Sequence, residues 1–223
     1  MPSWKRWLVL AAVACIAIAA PAAGRWWYER HPAGPVVRWI PFVALAVLAL
    51  AIVGFAVRWD RAALGLTWKP APSVGFWLRV GLVTGAVILA IALATLAVVR
   101  GGGPDPFDLG GQLPICSSLS RRVEMLMLAP LFEELLYRGA LCTALMGVGG
   151  RALAVAGGGL AFAWLHWFGG VLGPDNLLAG FLFSWAFVRS RTLLVPVAFH
   201  CFGNLAVIVL NDAGLLGPCV PLP

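Results

Sequence analysis

The chain has 223 residues, 61% of them hydrophobic and 11% charged, with 16 Lys or Arg against 9 Asp or Glu and a mean hydropathy of +0.93. A soluble domain carries roughly 25% charged residues, so this composition excludes a water-soluble globular protein and points to an all-α, polytopic membrane helix bundle. The formal charge of +7 is scattered between apolar runs, as befits loop residues that set topology and meet anionic headgroups. Membrane lipid is thus the expected partner of these bases, and no nucleic-acid partner is expected.

Lys5 and Arg6 precede an apolar run from Trp7 to Ala23. The run resembles a signal peptide, with small residues near Ala20–Ala23 in place of a cleavage site. Six further apolar segments follow, so a retained first span is expected. A basic loop with Arg25, Arg30, His31 and Arg38, in which His31 reads as solvated, leads to a second run from Trp39 to Val57. The linker Arg58–Ser73 carries Arg58, Arg61 and Lys69, and its Leu64-Gly65-Leu66 core is placed at the membrane interface. A third run covers Phe76 to Val99. Arg100–Ser120, rich in Gly, Pro and Asp, reads as the longest loop.

The fourth run, about Val123 to Met146, is long enough to cross a hydrocarbon core of about 30 Å. Within it, Pro130 breaks the hydrogen-bond ladder one turn before Glu133. The fifth, Ala152 to Phe168, contains Gly157-Gly158-Gly159, which permits close backbone approach. The sixth, Leu177 to Val188, is short, and the seventh covers Thr192 to Leu210. Seven spans are expected, or eight if one long run is re-entrant. The expected division is 1–122 for the N-terminal helices and loops, 123–211 for the core with the polar side chains, and 212–223 for a tail, all in one bundle.

Several tryptophans (Trp4, Trp7, Trp26, Trp27, Trp39, Trp59, Trp68, Trp77) fall near predicted membrane edges. Alternating sides puts Lys5, Arg6, Arg58, Arg61, Lys69, Arg79, Arg151, Arg189 and Arg191 together, and the positive-inside rule then puts the N-terminus in the cytoplasm. No internal repeat argues for a transporter. The five cysteines lack metal-ligand spacing: Cys15, Cys142 and Cys201 are expected as small buried residues, whereas Cys116 and Cys219 can pair in an oxidising compartment.

The polar residues inside the C-terminal spans carry the functional reading. Glu133, Glu134 and Arg138 lie within six positions of a membrane helix, where each charge costs on the order of 3 kcal/mol. Glu134 and Arg138 are four apart and share a face. Glu133 is rotated by about 100° and lacks that partner. His166 closes the fifth run, and His200 and Asn204 share one face of the seventh. In lipid each group needs a polar partner or water, so the economical arrangement turns all of them toward one hydrated cavity. A desolvated carboxylate is a stronger base, an imidazole beside it holds the water, and an imidazole with a carboxamide stabilises an oxyanion. No Gly-x-Ser-x-Gly elbow is present.

Glu133-Glu134-x-x-x-Arg138, Phe162-x-x-x-His166 and His200-x-x-x-Asn204, in this order on successive apolar runs, resemble the three motifs of the CAAX protease and bacteriocin-processing (ABI) family. These are intramembrane endopeptidases of the Ras-converting CAAX endopeptidase type. The resemblance covers about Val123 to Leu210. It implies that Glu133 is the general base, His166 orients the water, His200 and Asn204 form the oxyanion site, and Glu134 with Arg138 is a supporting pair. The implied partner is a peptide or membrane-anchored protein, cut near its C-terminus. The Ala-, Gly-, Trp- and Arg-rich composition has a bacterial character. For a bacterial inner-membrane protein, a C-terminal sorting signal, as for the relatives called myxosortases, is favoured over a prenylated CAAX tail. No cofactor or metal is expected; zinc held by two His and a carboxylate is the alternative. A non-catalytic immunity or scaffold protein keeping the fold is the alternative function.

Overall fold

The computed structural model describes residues 3–30, 39–102, 119–168 and 174–212. His31, Cys116, Cys219, nearly all of the 100–120 loop and the tail after Asp212 lie outside the described residues. Among them the chain forms six helical runs and no strand. These are α1 (Ser3–Arg30), α2 (Ile40–Ala56), α3 (Val74–Arg100), α4 (Leu119–Phe168), α5 (Pro174–Ser190) and α6 (Leu194–Asp212). The architecture is the expected all-helical membrane bundle. Windows in α1, α3 and α4 are long and apolar enough to cross a bilayer, while α2 and the apolar part of α6 are shorter.

The count differs from seven because the fourth and fifth predicted runs are one 50-residue helix, α4. At Gly150 the backbone turns to φ 75° and ψ −165°, a conformation open to glycine and costly for other residues. The chain folds back there without a loop, giving an upper arm (119–149) and a lower arm (151–168).

Small residues set the packing. Val13, Ala17 and Ala20 of α1 and Ala46, Ala49 and Val53 of α2, spaced by three and four, are buried, so the backbones approach closely where lipid offers no hydrophobic driving force. Leu136, Tyr137, Ala140, Leu141 and Cys142 of α4 complete this core. Prolines inside the helices are accommodated by donors from neighbours. Pro21 cannot donate to the carbonyl of Ala17, and the buried hydroxyl of Tyr137 donates to it instead, at 3.2 Å.

The linker 57–73 crosses one end of the bundle as a strap. Ala71 N–H donates to Ser190 O at 2.8 Å, Leu193 N–H to Gly65 O at 2.8 Å, and Thr143 Oγ1 to Ala63 O at 2.9 Å. Arg6 donates to Gly147 O at 3.3 Å at the same end. These contacts draw together the segments that carry Arg6, Arg58, Arg61, Lys69, Arg189 and Arg191.

Two local expectations, for Leu64 and Cys15, are corrected. Leu64 is fully buried beneath the bundle instead of lying in the interface. Trp77 is also buried: its indole donates to Ala71 O at 2.9 Å and packs edge-on against Trp185 and Phe199. Cys15 is exposed because its face of α1 points away from the alanine seam.

Candidate active site

The site is built on the upper arm of α4, whose geometry is set by Pro130. Ahead of the proline, Glu124–Leu128 is π-helical, and Ala129 N–H donates to Glu124 O, five residues back. Pro130 has no N–H, so the carbonyls it would have met, Leu126 in an α ladder and Met125 in a π ladder, are freed. Two α6 side chains supply the missing hydrogens. Cys201 Sγ donates to Leu126 O at 3.1 Å, and Asn204 Nδ2 donates to Met125 O at 2.6 Å. A second π-helical segment, Leu135–Cys142, follows the short α turn Ala129–Glu134. Wide turns on both sides thus frame the Glu pair.

Glu134 and Arg138 are both fully buried and joined by Arg138 Nη1 to Glu134 Oε1 at 3.0 Å. Arg138 Nη2 donates to Gly180 O at 3.1 Å, and its guanidinium lies over the rings of Phe162 (4.6 Å) and Phe183 (5.4 Å). Gly180 is what lets α5 come so near. A Cβ there would meet Gly159 O at 2.7 Å. The charge is thereby neutralised by a carboxylate, a carbonyl and two π faces, which buried ions require.

His200 reaches this pair from α6. Its Nδ1 lies 2.9 Å from Glu134 Oε1. An ionised carboxylate only accepts, so Nδ1 carries the hydrogen and Nε2 is turned outward, 3.9 Å from Glu133 Oε2. Phe183 stacks on the imidazole at 5.2 Å and Phe162 meets it edge-on at 5.5 Å. Glu133 Oε2 is buried and has no hydrogen-bond partner among the described residues.

His166, at the end of the lower arm, has Nδ1 3.0 Å from the carbonyl of Phe162. A carbonyl only accepts, so this nitrogen is the donor and Nε2 keeps its lone pair. The ring contacts Phe162 at 4.4 Å between centroids, so one aromatic ring separates the two imidazoles. The structure thus brings Glu133, Glu134, Arg138 and His200 together directly and His166 through Phe162. It places Asn204 against Met125 O rather than beside a carboxylate. Among the described residues no group of three or more His, Cys, Asp or Glu side chains is arranged to hold a metal ion.

The sequence reading missed the aromatic box of Phe162 and Phe183, the carbonyl ligand from Gly180, and Cys201. It also missed Glu124, buried with its carboxylate bonded by Arg121 at 2.9 Å and by the indole of Trp39. Arg121 three residues before Glu124 was a legible signal. An aromatic in an apolar helix carries none.

Comparison with curated proteins and with solved structures found no match. Residues 117–206, which contain every side chain of this cluster, match the family described as type II CAAX prenyl endopeptidase, Rce1-like.

Proposed function

We propose that the protein hydrolyses a peptide bond near the C-terminus of a membrane-associated protein with water activated by Glu133. The observation that carries the reading is the buried Glu133 oxygen, free of partners among the described residues, facing His200 Nε2 at 3.9 Å. Glu134 is tied to Arg138 and His200 through Oε1, and its Oε2 also has no hydrogen-bond partner among the described residues. Its ion pair with Arg138 makes it the weaker base, which leaves Glu133 as the carboxylate to act on a bound water. Glu133 takes a proton as the water oxygen bonds to the scissile carbonyl carbon. The carbonyl oxygen becomes an oxyanion, and the same proton then passes to the departing amine as the C–N bond breaks. His166, whose Nε2 keeps its lone pair on the other side of the Phe162 ring from His200, is the proposed orienting acceptor once water and substrate fill the site.

His200 stabilises the oxyanion. Because Nδ1–H is held by Glu134, donation from Nε2 calls for a hydrogen on both ring nitrogens. Asn204 spends one amide hydrogen on Met125 O, and its second is available to the same oxyanion site. The catalytic core is 123–211, with the preceding helices packed around it.

The basic end formed by Lys5, Arg6, Arg58, Arg61, Lys69, Arg151, Arg189 and Arg191, where Asp60 is the acidic residue of the strap, faces the cytoplasm by the positive-inside rule. Within a bacterial inner membrane the substrate is a C-terminal sorting signal or a peptide rather than a prenylated tail.

The test is cleavage of C-terminal tail peptides from the same genome, read by mass spectrometry, with purified protein in detergent and EDTA. The parent should cut and Glu133→Gln should not. Activity lost to chelator and restored by Zn²⁺ would move the mechanism to a metalloprotease. Cellular function retained by Glu133→Gln would favour the scaffold reading.

A further inference from the structure

We propose that the groove between the lower arm of α4 and α5 binds an anionic phospholipid, with Arg151 and Arg189 holding the phosphate and an acyl chain lying between the helices. This inference is independent of the peptidase reading. The groove has a volume of about 490 Å³ and an almost wholly apolar lining. One wall is low because Ala152 and Ala156 are small, and the other is high because Phe181 and Trp185, four apart, stand on one face of α5. From Phe181 to Arg189 it runs roughly 12 Å at 1.5 Å per residue.

Charge decides which lipid. Both arginines are exposed and line the groove, and no acidic side chain lines it. Among the described residues neither is ion-paired. Asp60, at the same end, is occupied by the N–H groups of Ala62 and Ala63, at 2.9 and 3.3 Å. Two cations of one sign at the mouth of an apolar groove call for an anion carrying a hydrocarbon chain. Free phosphate would satisfy the arginines and leave the groove unfilled. An uncharged lipid chain would fill the groove and leave the arginines unused. An anionic phospholipid does both, and it is abundant where a basic membrane face meets headgroups.

The experiment is native mass spectrometry of the full chain released from detergent after titration with phosphatidylglycerol or phosphatidylcholine. The parent should retain phosphatidylglycerol. Arg151→Gln with Arg189→Gln should weaken that binding about thirtyfold, about fivefold per arginine. The corresponding Lys pair, which keeps both charges, should retain most of it. Ala156→Phe, filling the groove with both arginines intact, should lose the adduct while its melting temperature in lipid-free detergent stays that of the parent. Equal retention of phosphatidylcholine, equal binding by the Gln pair, or a phosphate-induced thermal shift matching that of phosphatidylglycerol would each overturn the proposal.

Discussion

Arg138→Met removes the cation from the centre of the site while keeping most of its volume. Glu134 then stays fully buried with a single remaining charge-assisted contact, His200 Nδ1 at 2.9 Å. Gly180 O also loses its donor, the Arg138 Nη2 at 3.1 Å. Breaking a buried ion pair from one side costs about 3–5 kcal/mol because a charge is left uncompensated. A cost of about 4 kcal/mol lowers the melting temperature of a chain this size by roughly 8–16 °C. The control is the double change Glu134→Gln with Arg138→Met. It removes the stranded charge and keeps an acceptor for His200, so it should be more stable than Arg138→Met alone by about 2 kcal/mol, within the usual range for coupled neighbours. The assay is reversible unfolding in mixed detergent and sodium dodecyl sulfate micelles, followed by tryptophan fluorescence. If Arg138→Met costs less than about 1 kcal/mol, as an exposed pair would, or if the double change is no better than the single one, the pair is not the buried linchpin described above.

Glu133→Gln should lower peptide cleavage at least about a hundredfold, the lower bound for a general base, with unfolding free energy within about 1 kcal/mol of the parent; a large stability loss would instead mark Glu133 as structural. Asn204→Leu strands the Met125 carbonyl and should destabilise by about 1–3 kcal/mol, read in the same unfolding assay; an unchanged midpoint would show that the contact with Met125 O is not made. Tyr137→Phe should cost about 1 kcal/mol in the parent but much less in a Pro21→Ala background, where residue 21 regains the N–H that serves Ala17 O, and equal costs would refute that exchange. Gly180→Ala pushes a methyl against Gly159 O and should cost about 1–3 kcal/mol, with cleavage falling in parallel because Arg138 loses its carbonyl ligand.

Much of the bundle was legible in the chain. Composition excluded a soluble domain, and each helix falls on an apolar run, because in lipid the backbone of such a run has no partner but itself. The i,i+4 spacing of Glu134 and Arg138 determined their pairing, since it depends only on helical rise and rotation. What periodicity did not reveal were the junctions: the fold-back at Gly150 and the π-helical turns around Pro130. Those depend on whether a neighbour supplies a donor to the freed carbonyls, and the donors Cys201 and Asn204 lie more than seventy residues away.

The sequence by itself determined which residues were too polar to face lipid, and so named Glu133, Glu134, Arg138, His166, His200 and Asn204 as a group. Only the tertiary structure decided how they divide the work. It gave His200 to Glu134, left a Glu133 oxygen without a partner among the described residues, set Phe162 between the imidazoles and turned Asn204 to the backbone. The reason is that residue type sets the cost of burial, whereas the partner that offsets it is chosen by helix packing, through contacts such as Gly180 on Gly159 that have no local signal.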